Sequence, residues 1–485
     1  MKKNILLIIL IFVVLCSSGQ TVTPFAKTYG LIGYNYGKCA YQTDDGGYII
    51  LGNKSGFVGN TDIYLIKTDT AGEIIWDKAI GGADIEWAND FKVTHDKGLI
   101  IAGYTNAITE NGYDVLLIKT DSSGTIEWSK TFGGADWDMG YSVIEDKDHN
   151  FLLAGESFSN SFGDADVYLI KTNSFGDTIW TRHYGGTGSD IAYSIDTTNF
   201  SDYLISGVTR EISDSTYDAY LLKISNTGDT LMTRKYGDIY DDKFYCARQF
   251  DDTTYIICGT TNKFDITNYD AWLLKTDTLG NIKWTISSAG SPGDEECFDI
   301  KRSWNNDIVD IGYSSSIGAG KKDLTFSING SAGSFGGAED EVGYSVNLTK
   351  DSCYIFTGTT NSFGLGITNI YFIKTNKTGS APPTPTQETV IYELDNNKND
   401  LSIFTYPNPT KGLVNINLEN FSNGNIQIKV FNAIGMELFM LKDKITNSLF
   451  CKNITIAEQP DGIYFIQVSS DNTTSTTKII KQSSK

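Results

Sequence analysis

The sequence predicts an all-β protein built from repeats, on three observations. A short apolar strand with a fixed signature occurs seven times, further short strands and Gly, Asn or Asp turns bracket each copy, and no stretch of the repeats carries a helical period. The signature reads Asp62-Ile-Tyr-Leu-Ile-Lys-Thr68, then Asp114 to Thr120, Asp166 to Thr172, Asp218 to Ile224 and Asp270 to Thr276. A worn copy follows at Asp323 to Ile328, and the last is Asn369 to Thr375. The first five begin 52 residues apart, the next step is 53 and the last 46. Self-similarity at that period marks a solenoid or a propeller.

One unit shows the plan. Gly140 to Glu145 alternates and turns at Asp146 to Asn150; Phe151 to Gly155 follows; a polar loop leads to Asp166 to Thr172; a turn at Asn173 to Gly176 precedes Thr178 to Arg182, and Gly185-Gly186 ends the unit. Four antiparallel strands in about 50 residues make one propeller blade. Each signature strand but the last is followed by a fourth strand, such as Ile74 to Lys78 or Ile126 to Lys130. The missing one lies near the start of the chain, where Phe25-Ala-Lys-Thr-Tyr-Gly30 matches Trp128-Ser-Lys-Thr-Phe-Gly133. The first strand is therefore expected to complete the seventh blade and close the ring, leaving no open sheet edge between first and last blades.

Trp76, Trp128, Trp180 and Trp284 share one place in the fourth strand, with Met232 in blade four, and read as core between blades. The signature Lys recurs as Lys67, Lys119, Lys171, Lys223, Lys275 and Lys374. Residues repeated so faithfully build the blade. The pattern resembles the bacterial seven-bladed propeller repeat family, whose units read D-hydrophobic-K, then G-x-h-x-W and a Gly-Gly step. The likeness runs from about Phe25 to Gly379 and departs in blade six, where Ser327 replaces the Lys. It implies a fold, not a ligand.

Met1-Lys2-Lys3, the apolar run Asn4 to Cys16 and Ser17-Ser18-Gly19 read as a secretory signal peptide cleaved near Gln20; Cys16 invites a lipoprotein reading, but Leu15 before it is bulky. No other segment is long and apolar enough to cross a membrane as a helix. The chain has 39 basic and 59 acidic residues, a net charge of −20. Such a surface repels nucleic acid. The cysteines after the leader show no repeat spacing; Cys246 and Cys258 are placed to face each other across a hairpin, as small buried residues or as a disulfide.

Ser380-Ala-Pro-Pro-Thr-Pro-Thr386 breaks the pattern, and the polar run to Asp400 reads as a linker. Strand-like runs follow at Leu413 to Leu418, Ile426 to Phe431, Gly462 to Val468 and Lys478 to Lys481. This tail is similar to the C-terminal sorting domain of the type IX secretion system, type A. The likeness rests on Tyr406, Pro407, Asn408, Pro409 and Gly412, on Ile434-Gly435, on Gly462-Ile-Tyr464 and on Lys478 and Lys481. It implies the type IX machinery as partner and passage through the periplasm and outer membrane, with the tail normally cut off and the propeller released or anchored at the surface. The expected organisation is a signal peptide over 1–19, a seven-bladed propeller over 20–379, a linker over 380–400 and a small C-terminal β-sandwich over 401–485.

The search for chemistry yields little. No H-E-x-x-H, G-x-S-x-G or phosphate loop is present. His95 and His149 fall in turns between first and second strands and His183 beside a fourth strand, and all read as turn or surface residues. Asp146-Lys-Asp148-His-Asn150 has half a calcium-loop spacing but lacks the sharp-turn Gly, so it reads as a hairpin turn. An acid does recur seventeen residues before the Gly ending each second strand: Glu86, Asp138, Asp190, Asp242, Glu295 and Glu341, with Asn35 in blade one. These either cap the turn into the strand or ring one channel mouth as a cation rim, with Ca²⁺ the candidate ion and no other cofactor expected. The loops on that face are uniformly short, which argues against a walled active site. The sequence thus predicts a secreted or surface propeller binding a glycan, matrix component or protein, with no enzymatic activity; the alternative is a glycan-cleaving enzyme using the rim carboxylates.

Overall fold

The computed structural model describes residues 23–30, 33–55, 61–82, 84–107, 112–159, 161–288, 292–382, 385, 402–406, 412–419, 424–445, 450–470 and 474–481. The expected signal peptide and residues 386–400 of the expected linker lie outside them.

Seven four-stranded antiparallel sheets form the repeats. Blade three has Asp138–Glu145 innermost, then Phe151–Ser157, Asp166–Thr172 and Thr178–Tyr184 outermost. The seven innermost strands begin at Tyr34, Glu86, Asp138, Asp190, Asp242, Glu295 and Glu341, and each touches the next around a closed cycle. Closure follows the expected route: Phe25–Tyr29 pairs with Asn369–Lys374 as the fourth strand of blade seven, Phe25 opposite Lys374 and Tyr29 opposite Ile370.

The blade cores need this arrangement because second and third strands are apolar on both faces. Phe151–Ser157 and Asp166–Thr172 are buried throughout, as a strand covered by neighbours on each side must be. The signature lysines answer the Asp at the first turn of their own blade: Lys67–Asp45 2.8 Å, Lys119–Asp96 2.9 Å, Lys171–Asp146 2.9 Å, Lys223–Asp202 3.0 Å, Lys275–Asp251 3.8 Å and Lys374–Asp351 2.7 Å. Where Ser327 replaces the Lys in blade six, its hydroxyl donates instead to Asp310 of the neighbouring strand.

The fourth-strand tryptophans are half-buried rather than enclosed, since that strand is outermost. Their role is a clasp between blades. A Cβ on Gly124 would lie 2.9 Å from the Trp76 ring, and one on Gly176 2.9 Å from Trp128. Both glycines also have positive φ, 74° and 78°, so the outer turn needs Gly for two reasons. Phe25 of the closing strand fills the same place at the seam, 2.9 Å from a Cβ on Gly72, and Tyr29 donates its O–H to Gly72 O at 2.7 Å.

Cys246 and Cys258 stand directly opposite in register and are free and buried. The tail has two sheets, one of Ser402–Tyr406, Leu413–Glu419 and Phe450–Thr455, the other of Glu437–Ile445, Gly424–Asn432, Gly462–Ser469 and Thr474–Lys481. They share a core that includes Val414, Ile416, Ile428, Val430, Ile466 and Ile479, so it is a small sandwich.

Candidate functional site

Each acid singled out from the sequence is the first residue of an innermost strand or, for Asn35, the second. Glu86 is half-buried and Asp138, Asp190, Asp242, Glu295 and Glu341 are buried. Four of them accept the N–H of the second glycine of the Gly-Gly step: Gly82 to Glu86 at 3.1 Å, Gly134 to Asp138 at 2.8 Å, Gly186 to Asp190 at 2.9 Å and Gly337 to Glu341 at 2.6 Å. Second-strand and loop hydroxyls supply more donors: Ser159 to Asp138 at 2.8 Å, Ser314 to Glu295 at 2.9 Å and Thr360 to Glu341 at 2.6 Å. Their side chains serve the junction between blades.

At that junction each acid faces the signature Asp of the preceding blade. A Cβ on the first glycine of the step would collide with both: 2.2 Å from Asp114 Oδ1 and 2.6 Å from Asp138 Oδ2 at Gly133, and 2.2 and 2.6 Å from Asp166 and Asp190 at Gly185. The Gly-Gly step is thus a spacer between two carboxylates followed by a donor to one of them. Burial raises the carboxyls of Asp114, Asp166, Asp190 and Asp270, with the facing acid adding to it for Asp114, Asp190 and Asp270. Burial pushes Asp242 up to about 6. At the ring-closing junction Asn35 and Asn369 take the two places, so no carboxylates meet there.

A second ring was not singled out by the sequence. All seven innermost strands carry a β-bulge at one position, Lys38, Asn89, Tyr141, Tyr193, Tyr245, Phe298 and Tyr344, three residues after the acid or Asn35. A bulged residue leaves the ladder and its side chain is re-aimed. Here the seven side chains, all half-buried, link around the axis. Ring centroids run Tyr141 to Tyr193 5.6 Å, Tyr193 to Tyr245 5.5 Å, Tyr245 to Phe298 4.9 Å and Phe298 to Tyr344 5.4 Å. Lys38 Nζ sits 5.3 Å from the Tyr344 ring and 5.2 Å from Trp87, whose indole N–H donates to Asn89 at 3.1 Å. Asn89 donates on to Gly140 O of blade three at 2.9 Å, which completes the circuit.

The electrostatics of this ring are uneven. Burial lowers the Lys38 ammonium to about 8. Glu296 accepts from Tyr245 Oη at 2.7 Å and Tyr313 Oη at 2.9 Å, and Tyr141 donates to Glu156. Burial raises the phenol of Tyr193, and it raises that of Tyr344 to about 12. The arc from blade three to blade seven is therefore aromatic and neutral, with a cation at one end and acids beneath it. A repeat alignment read three residues past each acid would have found it.

In the tail, Tyr406 ends a strand and Pro407, Asn408 and Pro409 lie outside the described residues. Gly412 precedes Leu413–Glu419 with φ 129°, and Gly435 has φ 79° in the turn between two strands. Gly462 opens a strand, and Tyr464, buried, donates to Pro460 O at 2.6 Å. Lys478 is half-buried, whereas Lys481 is buried and pairs with Asp461 at 3.2 Å.

The fold and tail define a secreted seven-bladed propeller of the repeat kind. Residues 404–482 match the family described as the secretion system C-terminal sorting domain, which marks the chain for type IX export to the cell surface or the extracellular space. No curated protein matches the chain. Solved structures similar to it include a puromycin hydrolase (9% identity, TM-score 0.49, 82% of this chain and 62% of that one). Others are a Pyrococcus horikoshii acylaminoacyl peptidase (11%, 0.41, 80% and 57%) and a xylan β-1,4-xylosidase from Bacillus halodurans (9%, 0.32, 95% and 91%). The chain thus spans about three fifths of the first two. At these identities the likeness bears on fold alone. It corrects the expectation of no enzymatic activity all the same: the similar folds are named as hydrolases, so a missing sequence motif is no ground for excluding one.

Proposed function

We propose that the propeller is an extracellular binding module that takes a glycan in its central channel, on the bulged ring. The observation behind this reading is that all seven innermost strands bulge at one position and five of those positions hold aromatic rings in contact. Aromatic faces offer large, rigid contact area at low entropy cost, and an adjoining cation and acids supply orienting polar groups. The junction carboxylates, occupied by turn N–H groups, hold this ring in place. The test is a glycan array probed with the purified chain and with a Tyr193→Ala/Tyr245→Ala variant. Signals present for the parent and lost in the variant support the reading; equal signals, or none for the parent, refute it.

A further inference from the structure

The chain contains three histidines, and two of them meet. His95 is the second residue of the turn Thr94–Gly98 in blade two, and His149 the fourth of the turn Asp146–Asn150 in blade three. Their rings stack with centroids 3.5 Å apart at 25°. Between them stands Glu145, the last residue of the innermost strand of blade three. Its Oε1 contacts His95 Nδ1 and lies 3.1 Å from His149 Nδ1, while its Oε2 accepts the His95 backbone N–H at 2.8 Å. The three ligand atoms all fall within 4.8 Å of one another.

The same turn contact is made elsewhere with other chemistry. Gln249 accepts the Asn199 N–H at 2.7 Å, and Gln42 accepts the Lys350 N–H at 2.7 Å, so a neutral amide suffices for the clasp. Between blades one and two, the two turn positions hold Asp44 and Lys97, paired at 2.7 Å. Only between blades two and three, among the described residues, do a carboxylate and two imidazoles come together. The clasp needs only an acceptor at position 145, so it accounts for neither imidazole. Two imidazole nitrogens and one carboxylate oxygen are a donor set for a borderline divalent ion, and both rings are about half exposed, at 47% and 49%, which leaves room for further ligands.

We propose that His95, Glu145 and His149 bind a first-row divalent transition ion of the zinc class, on the turns between first and second strands, away from the bulged ring. Protein donors fill three positions and water or a ligand from outside completes the shell. The backbone N–H of His95 holds the carboxylate in the manner of an outer-shell partner.

The experiment uses the untagged full-length chain, stripped with EDTA and titrated calorimetrically with ZnCl₂ and separately with CaCl₂. The expected result is saturation by one Zn²⁺ per chain, with Ca²⁺ giving no comparable binding, since oxygen-rich sites are what calcium requires. His95→Asn and His149→Asn should each weaken Zn²⁺ binding by about tenfold or more. Asn suits position 149, where φ is 61°. His183→Asn, on the outer strand of blade three, should leave binding unchanged, and far-UV circular dichroism checks each fold. Equal binding by the His95→Asn/His149→Asn double variant, or none by the parent, overturns the proposal.

Discussion

The closing strand carries the most exacting prediction. Phe25 is 8% exposed and Tyr29 2%. Both pack on Phe372, with centroids at 5.6 and 6.3 Å, and Phe25 also meets Tyr48 at 6.0 Å. Truncating one buried aromatic costs about 3–5 kcal/mol. Because the two share Phe372 the costs are not additive, and Phe25→Ala/Tyr29→Ala is expected to lose about 5 kcal/mol. For a fold of this size that lowers the Tm by about 5–10 °C. Tyr29→Phe removes the bond to Gly72 O, leaving that carbonyl one donor short at about 1 kcal/mol. Phe162, 72% exposed, is the control, and Phe162→Ala should leave the Tm where it is. Differential scanning calorimetry reads all three. A double variant that melts with the parent would show that Phe25–Tyr29 does not hold the ring, and the reasoning from closure would fail.

The remaining predictions concern charge and thiols. The Asp114, Asp166, Asp190 and Asp270 carboxyls and Asp242, at about 6, bind a proton more tightly folded than unfolded. They weaken the fold above pH 6 and relieve it as pH falls toward 4, whereas Asp44, Asp45 and Asp251, held near 2, lose their contribution only below about pH 4. The Tm should therefore be higher at pH 5 than at pH 8; the reverse order would contradict the junction geometry. Lys171→Met removes the cation paired with Asp146, whose side chain is 6% exposed, and should cost about 3 kcal/mol in urea unfolding. Burial raises the thiols of Cys258 and Cys297, the latter to about 11, so Ellman's reagent should titrate them only after unfolding.

Much of this was legible because a repeat multiplies each weak signal. The match of Phe25–Gly30 to Trp128–Gly133 sufficed to place the closing strand, and the recurrence of Lys171 and its sisters marked a structural role that Asp146 and its sisters explain. The bulged ring was hidden because a period-two reading assumes even alternation, and Tyr141 is where alternation breaks between Gly140 and Ser142. His95 and His149 escaped for a related reason. They stand 54 residues apart, off the 52-residue period, at unlike positions of two turns, so only the stagger between blades brings them face to face. In the tail, Glu437–Ile445 and Phe450–Thr455 were missed, since Lys442, Asp443, Lys444 and Lys452 interrupt their apolar pattern.

The place of the seam decides what export leaves behind. Lys374 is the last residue in the propeller's sheets, and the chain beyond it folds back at once, Asn376 N–H meeting Ser380 O at 2.9 Å. Severing the chain anywhere in 386–400 would strip off the address label without touching a rung of the ring. The ring would keep all four strands of every blade, latched at the seam by Phe25–Tyr29.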